Sequence, residues 1–249
     1  MPIVVFACKS NSCRSQMAEG WARQWIEDQI DVLELTLQEV QDKEDEKIDA
    51  LADNRWPNGI KEHIEILKDT IVVSVALDSS SVFNVPLSPS ETEDILSSAI
   101  PSMPRKQVKS KAVDAMKDSG VDISSFQPKT IDEIMPIIRG KNDPSSALIT
   151  PKLISGNTSL LENVQLNDME GHDFEQAKPV DKLIVLCSCG KEMKYRLARR
   201  SKSVEEWSID APTTASKAGE GDNAYRRVSL EIKNEVNILM KSLLLSPCL

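Results

Sequence analysis

Histidine is almost missing from this chain of 249 residues: there are two, His63 and His172. Neither stands at ligand spacing from a cysteine pair, which argues against a zinc-type metal centre, and both read as incidental surface residues. Aromatic side chains are also scarce, at 4%, so the core has to be built from aliphatic residues. No basic stripe is present. The densest cluster, RLARR at 196–200, reads as a solvated helix face, and a net charge of -9 with a pI of about 4.9 disfavours a nucleic-acid partner. No apolar run reaches the length of a membrane span, and no charged leader precedes the apolar start, so no membrane role is expected. Cysteine is present but odd in number: Cys8, Cys13, Cys187, Cys189 and Cys248. Five is a poor disulfide framework for a long chain and fits a reducing, cytoplasmic setting with working thiols. Cys248 is the penultimate residue and makes no prenylation box.

The length admits one well-buried core with large insertions, or two small domains. Residues 3–7, IVVFA, form a continuous apolar run of the kind that a fully buried parallel strand shows. A helix follows, with Met17, Trp21 and Trp25 on one face. TIVVSVAL (70–77) is the next strand. SKAVDAMKDSG (110–120) reads as a helix with Val113 and Met116 turned inward and Gly120 as its stop. KLIVLC (182–187) repeats the opening pattern, a buried strand ending in cysteine, and EEWSI (205–209) is a weaker fourth strand. The last helix begins near Asp222 and carries Tyr225, Val228, Ile232, Val236, Leu239 and Leu243 at a 3.6-residue period. Strands alternating with helices predict a three-layer α/β fold with a four-stranded, mostly parallel sheet.

Three stretches break the rhythm. Residues 31–69 hold twelve acidic and five basic side chains and predict an exposed helix or partly disordered insertion. Residues 79–107 are rich in Ser and Pro and predict a loop. Residues 139–179 mix Gly, Asn, Asp and Pro without period. All three read as surface insertions into a single domain spanning 1–249, since long insertions cost little loop entropy.

The chemistry concentrates in CKSNSCRS, residues 8–15, between the first strand and the first helix. A thiol there sits at the mouth of the sheet and faces a helix N-terminus, whose free N–H groups make a cradle for an anion. Cys8 is the candidate nucleophile, its thiolate favoured by those amides, the helix dipole and Arg14. Lys9, Ser10, Asn11, Ser12 and Cys13 would line the cradle. The planar fork of Arg14 suits two oxygens of a tetrahedral oxyanion, and Ser15 could donate a hydrogen bond to the Cys8 sulfur. The plain alternative is that a cysteine closing a strand is a small buried hydrophobe.

CKSNSCRSQMAEGWA resembles the active-site loop of the low-molecular-weight tyrosine phosphatase superfamily. Within it, NSCRSQMAEGWA is similar to the thioredoxin-coupled arsenate reductases more than to the phosphatases, which typically carry a bulkier apolar residue at the place of Ser12 and proline at that of Gln16. KAVDAMKDSGVDIS (111–124), DKLIVLCS (181–188) and YRRVSLEIK (225–233) agree with the same family. The resemblance covers about half the chain in separate blocks, and the three insertions fall outside it.

The resemblance implies a role for each matching position. Cys8 would attack the oxyanion, Arg14 would clamp it, Ser15 would steady the thiolate and Asn11 would organise the loop. Glu19 matches a position that helps bind a structural potassium ion in some members. Cys187 would attack the Cys8–arsenic adduct, releasing arsenite and leaving a Cys8–Cys187 disulfide. Cys189, two residues on, stands where a third relay cysteine is wanted but closer than the family places it, and Cys13 or Cys248 could substitute. No tightly bound cofactor is implied; electrons would come from thioredoxin or from glutathione and glutaredoxin. The family's general acid is an aspartate just before proline, whereas here Asp210 falls one place early, with Ala211 before Pro212; either a reshaped loop lets Asp210 protonate the leaving oxygen, or that proton comes from elsewhere. Two further readings stay open: a phosphatase acting on phosphotyrosine or small phosphoesters through the same loop, and a degenerate oxyanion-binding module whose insertions hold a protein partner.

Overall fold

The computed structural model describes residues 1–45, 55–83, 105–139, 179–187 and 197–244. Strand β1 is Ile3–Cys8, with all six side chains buried. Helix α1 runs from Arg14 to Asp45, α2 from Arg55 to Lys68, and β2 from Ile71 to Ala76. Helices α3 (Ser110–Lys117) and α4 (Ile131–Arg139) follow, then β3 (Val180–Val185) and β4 (Ser201–Glu206). A short turn of helix, α5 (Pro212–Ala215), leads to the long α6 (Asn223–Leu244).

The four strands make one sheet in the order β2-β1-β3-β4, and each neighbouring pair is parallel. Alternation along β1 divides the core in two. Val4, Phe6 and Cys8 pack with Met17 and Trp21 of α1 and with Val228 and Ile232 of α6. Ile3, Val5 and Ala7 turn the other way, onto Ile131, Ile134 and Ile138 of α4. This is the predicted three-layer α/β architecture. A wholly parallel sheet brings every strand's C-terminal end to one edge, where α/β proteins place their sites.

Several boundaries differ from the sequence reading, each for a physical reason. The fourth strand is 201–206 rather than 205–209. It is the sheet edge and mostly solvent-facing, and charge pairs hold it: Lys182 to Glu205 at 2.5 Å and Lys202 to Asp181 at 2.6 Å. The apolar Trp207 and Ile209 lie past its end, where Trp207 stacks obliquely on Phe6. In the acidic 31–69 stretch, α1 continues to Asp45, and α2 buries Ile60, Ile64 and Leu67. The described acidic side chains, Asp31, Glu34, Glu39, Asp42, Glu62, Glu65 and Asp69, are exposed. Helix α4 was not expected at all, although Ile131, Ile134, Met135 and Ile138 keep the i, i+3, i+4, i+7 spacing of a buried face.

Two local features tie the layers together. Gly20 lets α1 approach the segment after α3, since a Cβ there would stand 2.7 Å from Ile123 Cγ2. Gly120, at φ 87°, ends α3 as expected, with Val121 N donating to Met116 O at 3.0 Å. The described ends of the 79–107 loop are pinned to each other, Lys106 N donating to Val82 O at 2.8 Å.

Candidate active site

Chain direction and register place the loop. Cys8 ends β1, Arg14 starts α1, and the intervening residues turn between them at the C-terminal edge of the sheet. Asn11 adopts φ 49°, a left-handed conformation that asparagine tolerates better than most residues. Its side chain is fully buried and hydrogen-bonded through both its nitrogen and its oxygen. Nδ2 donates to Ser15 Oγ at 2.9 Å, while Oδ1 accepts from Gln16 Nε2 at 2.8 Å and from Lys129 N at 2.7 Å. Ser15 Oγ in turn lies 2.9 Å from Cys8 Sγ. Accepting from Asn11 leaves the Ser15 hydroxyl proton available to the sulfur. Cys8 carries a free thiol.

The rest of the loop is pinned from outside. Lys9 is exposed, and its carbonyl accepts from Asp78 N at 3.0 Å and Ser81 Oγ at 3.1 Å. Ser10 and Ser12 bond to one another through their hydroxyls at 2.9 Å. Lys109 N donates to Ser12 O, and Lys109 Nζ reaches Thr213 Oγ1 at 2.6 Å, bringing a second cation to this edge. Arg14 Nη1 donates to Ile209 O at 2.7 Å, which ties the segment after β4 to the loop. Asp210 follows immediately, but it is exposed and its carboxylate faces Arg227 at 3.2 Å. Cys13 is a buried free thiol pushed up to about 12, chiefly by burial and then by neighbouring Cys8, against the opposing pull of Lys109 and Arg14.

Cys187 lies two residues past β3, half-buried and packed against both halves of the core. Cys8 and Cys13 are free thiols, so neither is joined to it. The register pairs Ala7 with Val185, and Leu186 N still donates to Ala7 O at 2.8 Å. Cys8 is therefore opposite Leu186, with Cys187 one step beyond. Cys189 and Cys248 lie outside the described residues.

Glu19 is buried one turn into α1, and both its oxygens are engaged. Oε1 accepts from Arg23 Nη2 at 2.5 Å; Oε2 accepts from Ser74 N at 2.9 Å, Ser74 Oγ at 2.5 Å and Lys129 Nζ at 3.1 Å. Burial pushes its carboxyl up, but Lys129, Arg23 and the Ser74 hydroxyl outweigh that and hold it below the usual range. Gln16, Lys109 and Lys129 are site residues that the sequence reading missed. Lys129 follows a proline in an aperiodic stretch and meets the loop only through tertiary folding. Gln16 was noted only as a departure from proline; its amide bonds Asn11 O, Asn11 Oδ1 and Gln127 O.

Comparison with known proteins gives short matches and distant folds. No protein-family model matches the chain. The arsenate reductase of Bacillus subtilis (strain 168) is 63% identical over 27 residues, 11% of this chain and 19% of that protein. The arsenate reductase of Halalkalibacterium halodurans is 53% identical over 30 residues, 12% and 22% respectively. The chain thus matches about a fifth of the length of these curated relatives. Among solved structures, an arsenate reductase in oxidized state aligns with TM-score 0.44 and 18% identity over 97% of this chain and 98% of that one. A low-molecular-weight protein tyrosine phosphatase from T. tengcongensis aligns with TM-score 0.41 and 14% identity over 98% and 100%. The short stretches of this chain that match curated proteins thus match arsenate reductases.

Proposed function

We propose that the chain is an arsenate reductase in which Cys8 is the nucleophile and Cys187 the first relay thiol. The observation that carries this reading is the Cys8–Ser15–Asn11 chain of 2.9 Å contacts at the sheet edge, with Cys187 two residues past the end of β3, the strand that pairs with β1. The Cys8 thiolate attacks arsenic of a bound arsenate, and one oxygen departs as water after protonation. Arg14 swings from the Ile209 carbonyl to hold two of the remaining oxygens. The Cys187 thiolate then attacks the Cys8 sulfur. The sulfur–arsenic bonding pair stays on arsenic, which leaves as arsenite, and a Cys8–Cys187 disulfide forms. A third thiol attacking Cys187 would restore free Cys8, and a dithiol donor such as thioredoxin would reduce the resulting disulfide.

The test is a coupled NADPH-oxidation assay with arsenate, comparing thioredoxin and its reductase with glutathione plus glutaredoxin. Arsenate-dependent oxidation that Cys8→Ser abolishes and Cys187→Ser stops supports the reading. Hydrolysis of an aryl phosphate without any arsenate-dependent oxidation replaces it with a phosphatase.

A further inference from the structure

The potassium site implied at Glu19 does not fit the residues around it. An alkali cation needs several oxygen ligands free to face it, and both carboxylate oxygens of Glu19 already take charged or polar donors. The neighbouring candidate oxygen, Asn11 Oδ1, accepts two hydrogen bonds. Gln16 Oε1 and Ser79 Oγ are the buried side-chain oxygens among the described residues that have no partner, and two such oxygens are not a cage. Charge points the same way. Arg23 and Lys129 already bring two positive charges to one carboxylate, so a metal ion would enter a pocket with excess positive charge.

We propose that Lys129 is the resident cation of this site, so that the loop is organised without a bound alkali metal ion. The lysine reaches the loop by two routes at once. Its ammonium pairs with Glu19 at 3.1 Å, and its backbone N–H donates to Asn11 Oδ1 at 2.7 Å. Its carbonyl accepts from Ala76 N at 2.8 Å, at the end of β2. The preceding Gln127 carbonyl accepts from Gln16 Nε2 at 2.9 Å. One segment thus links the sheet edge, the buried carboxylate and the asparagine that orients Ser15. Lys129 touches neither Cys8 nor the anion position through any of these bonds, so it is a positioning residue. It acts on Cys8 through Asn11 and Ser15.

The experiment needs no enzymatic turnover, so it stands apart from the choice between reductase and phosphatase. The full chain is melted in potassium, sodium and choline chloride at equal ionic strength, and the rate of Cys8 alkylation by iodoacetamide is followed in the same salts. The wild type is expected to give the same melting temperature and the same rate in all three. Lys129→Met is expected to melt lower in choline and to recover selectively in potassium, with Cys8 alkylation moving back toward the wild-type rate. Lys129→Arg, which keeps the charge, is expected to stay indifferent to potassium. A saturable potassium stabilisation of the wild type overturns the proposal, as does a Lys129→Met variant whose melting and alkylation ignore the cation. Should Lys129→Met not fold, thallium(I) titration of the wild type by NMR decides alone: a saturating bound signal refutes the internal cation, and none upholds it.

Discussion

Asn11 donates to the Ser15 hydroxyl at 2.9 Å, and through it reaches the sulfur of Cys8. The same side chain accepts from Lys129 N and Gln16 Nε2; removing it strands the Lys129 N–H, while Gln16 Nε2 keeps the Asn11 and Gln127 carbonyls. A buried donor left without a partner costs roughly 1–3 kcal/mol. Asn11→Ala is therefore expected to lower stability by about 2–5 kcal/mol, measured by urea unfolding. Asn11→Gly loses the same bonds but accepts φ 49° freely, and should recover about 1 kcal/mol of that loss. Equal losses in the two variants would show that the left-handed turn is not strained for alanine.

Exposure does not separate Cys8 from Cys13, at 5% and 8%; their surroundings do. Burial, followed by Cys8, raises the Cys13 thiol from an ordinary 9.0 to about 12, which keeps it neutral and unreactive. Iodoacetamide near neutral pH, read by peptide mass spectrometry, should label Cys8 and leave Cys13 unmodified, with phosphate or arsenate slowing the Cys8 reaction. The linkage has a definite sign. The fold favours the neutral Cys13 thiol, so its stability contribution is present below pH 9.0 and is lost as pH rises toward about 12. Equal labelling of the two cysteines would remove Cys8 from its role as nucleophile.

The sheet was legible in the sequence because β1, β2 and β3 are buried on both faces and read as apolar runs. The edge strand was misplaced because charge pairing rather than burial holds it, and the apolar residues nearby serve the core beyond its end. The loop residues from Cys8 to Ser15 were legible because strand, turn and helix follow one another within eight positions. Their supports were not, because Lys129, Lys109 and Ile209 come from segments about 95 to 200 residues away. A local pattern cannot register partners that only the tertiary fold assembles.

Asp210 follows Ile209, the residue tied to Arg14, yet its own carboxylate is 69% exposed and turned to Arg227. A carboxylate acting as general acid is worth roughly 10²–10⁴-fold in rate. Asp210→Asn is expected to fall well short of that range, about threefold or less in kcat, in assays of arsenate reduction or aryl phosphate hydrolysis. A loss of a hundredfold or more would mean that Asp210 leaves Arg227 and turns inward during turnover.

Glu19 has a carboxyl held below its ordinary 4.5. Burial opposes ionisation, but the ammonium of Lys129 and the guanidinium of Arg23 outweigh it. A depressed folded pKa means that the unfolded chain binds the proton more tightly. Stability from this pair is therefore present above about pH 4.5 and is lost as pH falls through the folded value. The wild type should show an acid-side drop in melting temperature that Glu19→Gln flattens. Glu19→Gln should also start from a lower plateau near neutral pH, since it removes the buried carboxylate that Arg23 and Lys129 share.

Two glycines make opposite predictions from one geometric criterion. A methyl group at Gly20 would stand 2.7 Å from Ile123 Cγ2 and 3.1 Å from Met116 Cε, in the seam between α1 and the segment that follows α3. Those side chains are fully buried, so the helix has to shift outward, and overpacking of this kind costs roughly 1–3 kcal/mol. Gly59 lies inside α2 with nothing within 4 Å of the same position. There alanine only removes backbone freedom from the unfolded chain and should stabilise by about 0.5–1 kcal/mol. Thermal melts of Gly20→Ala and Gly59→Ala are expected to move in opposite directions. A stabilised Gly20→Ala would mean that α1 does not make this close approach, and with it the α1 position that carries Arg14, Ser15 and Glu19 would have to be redrawn.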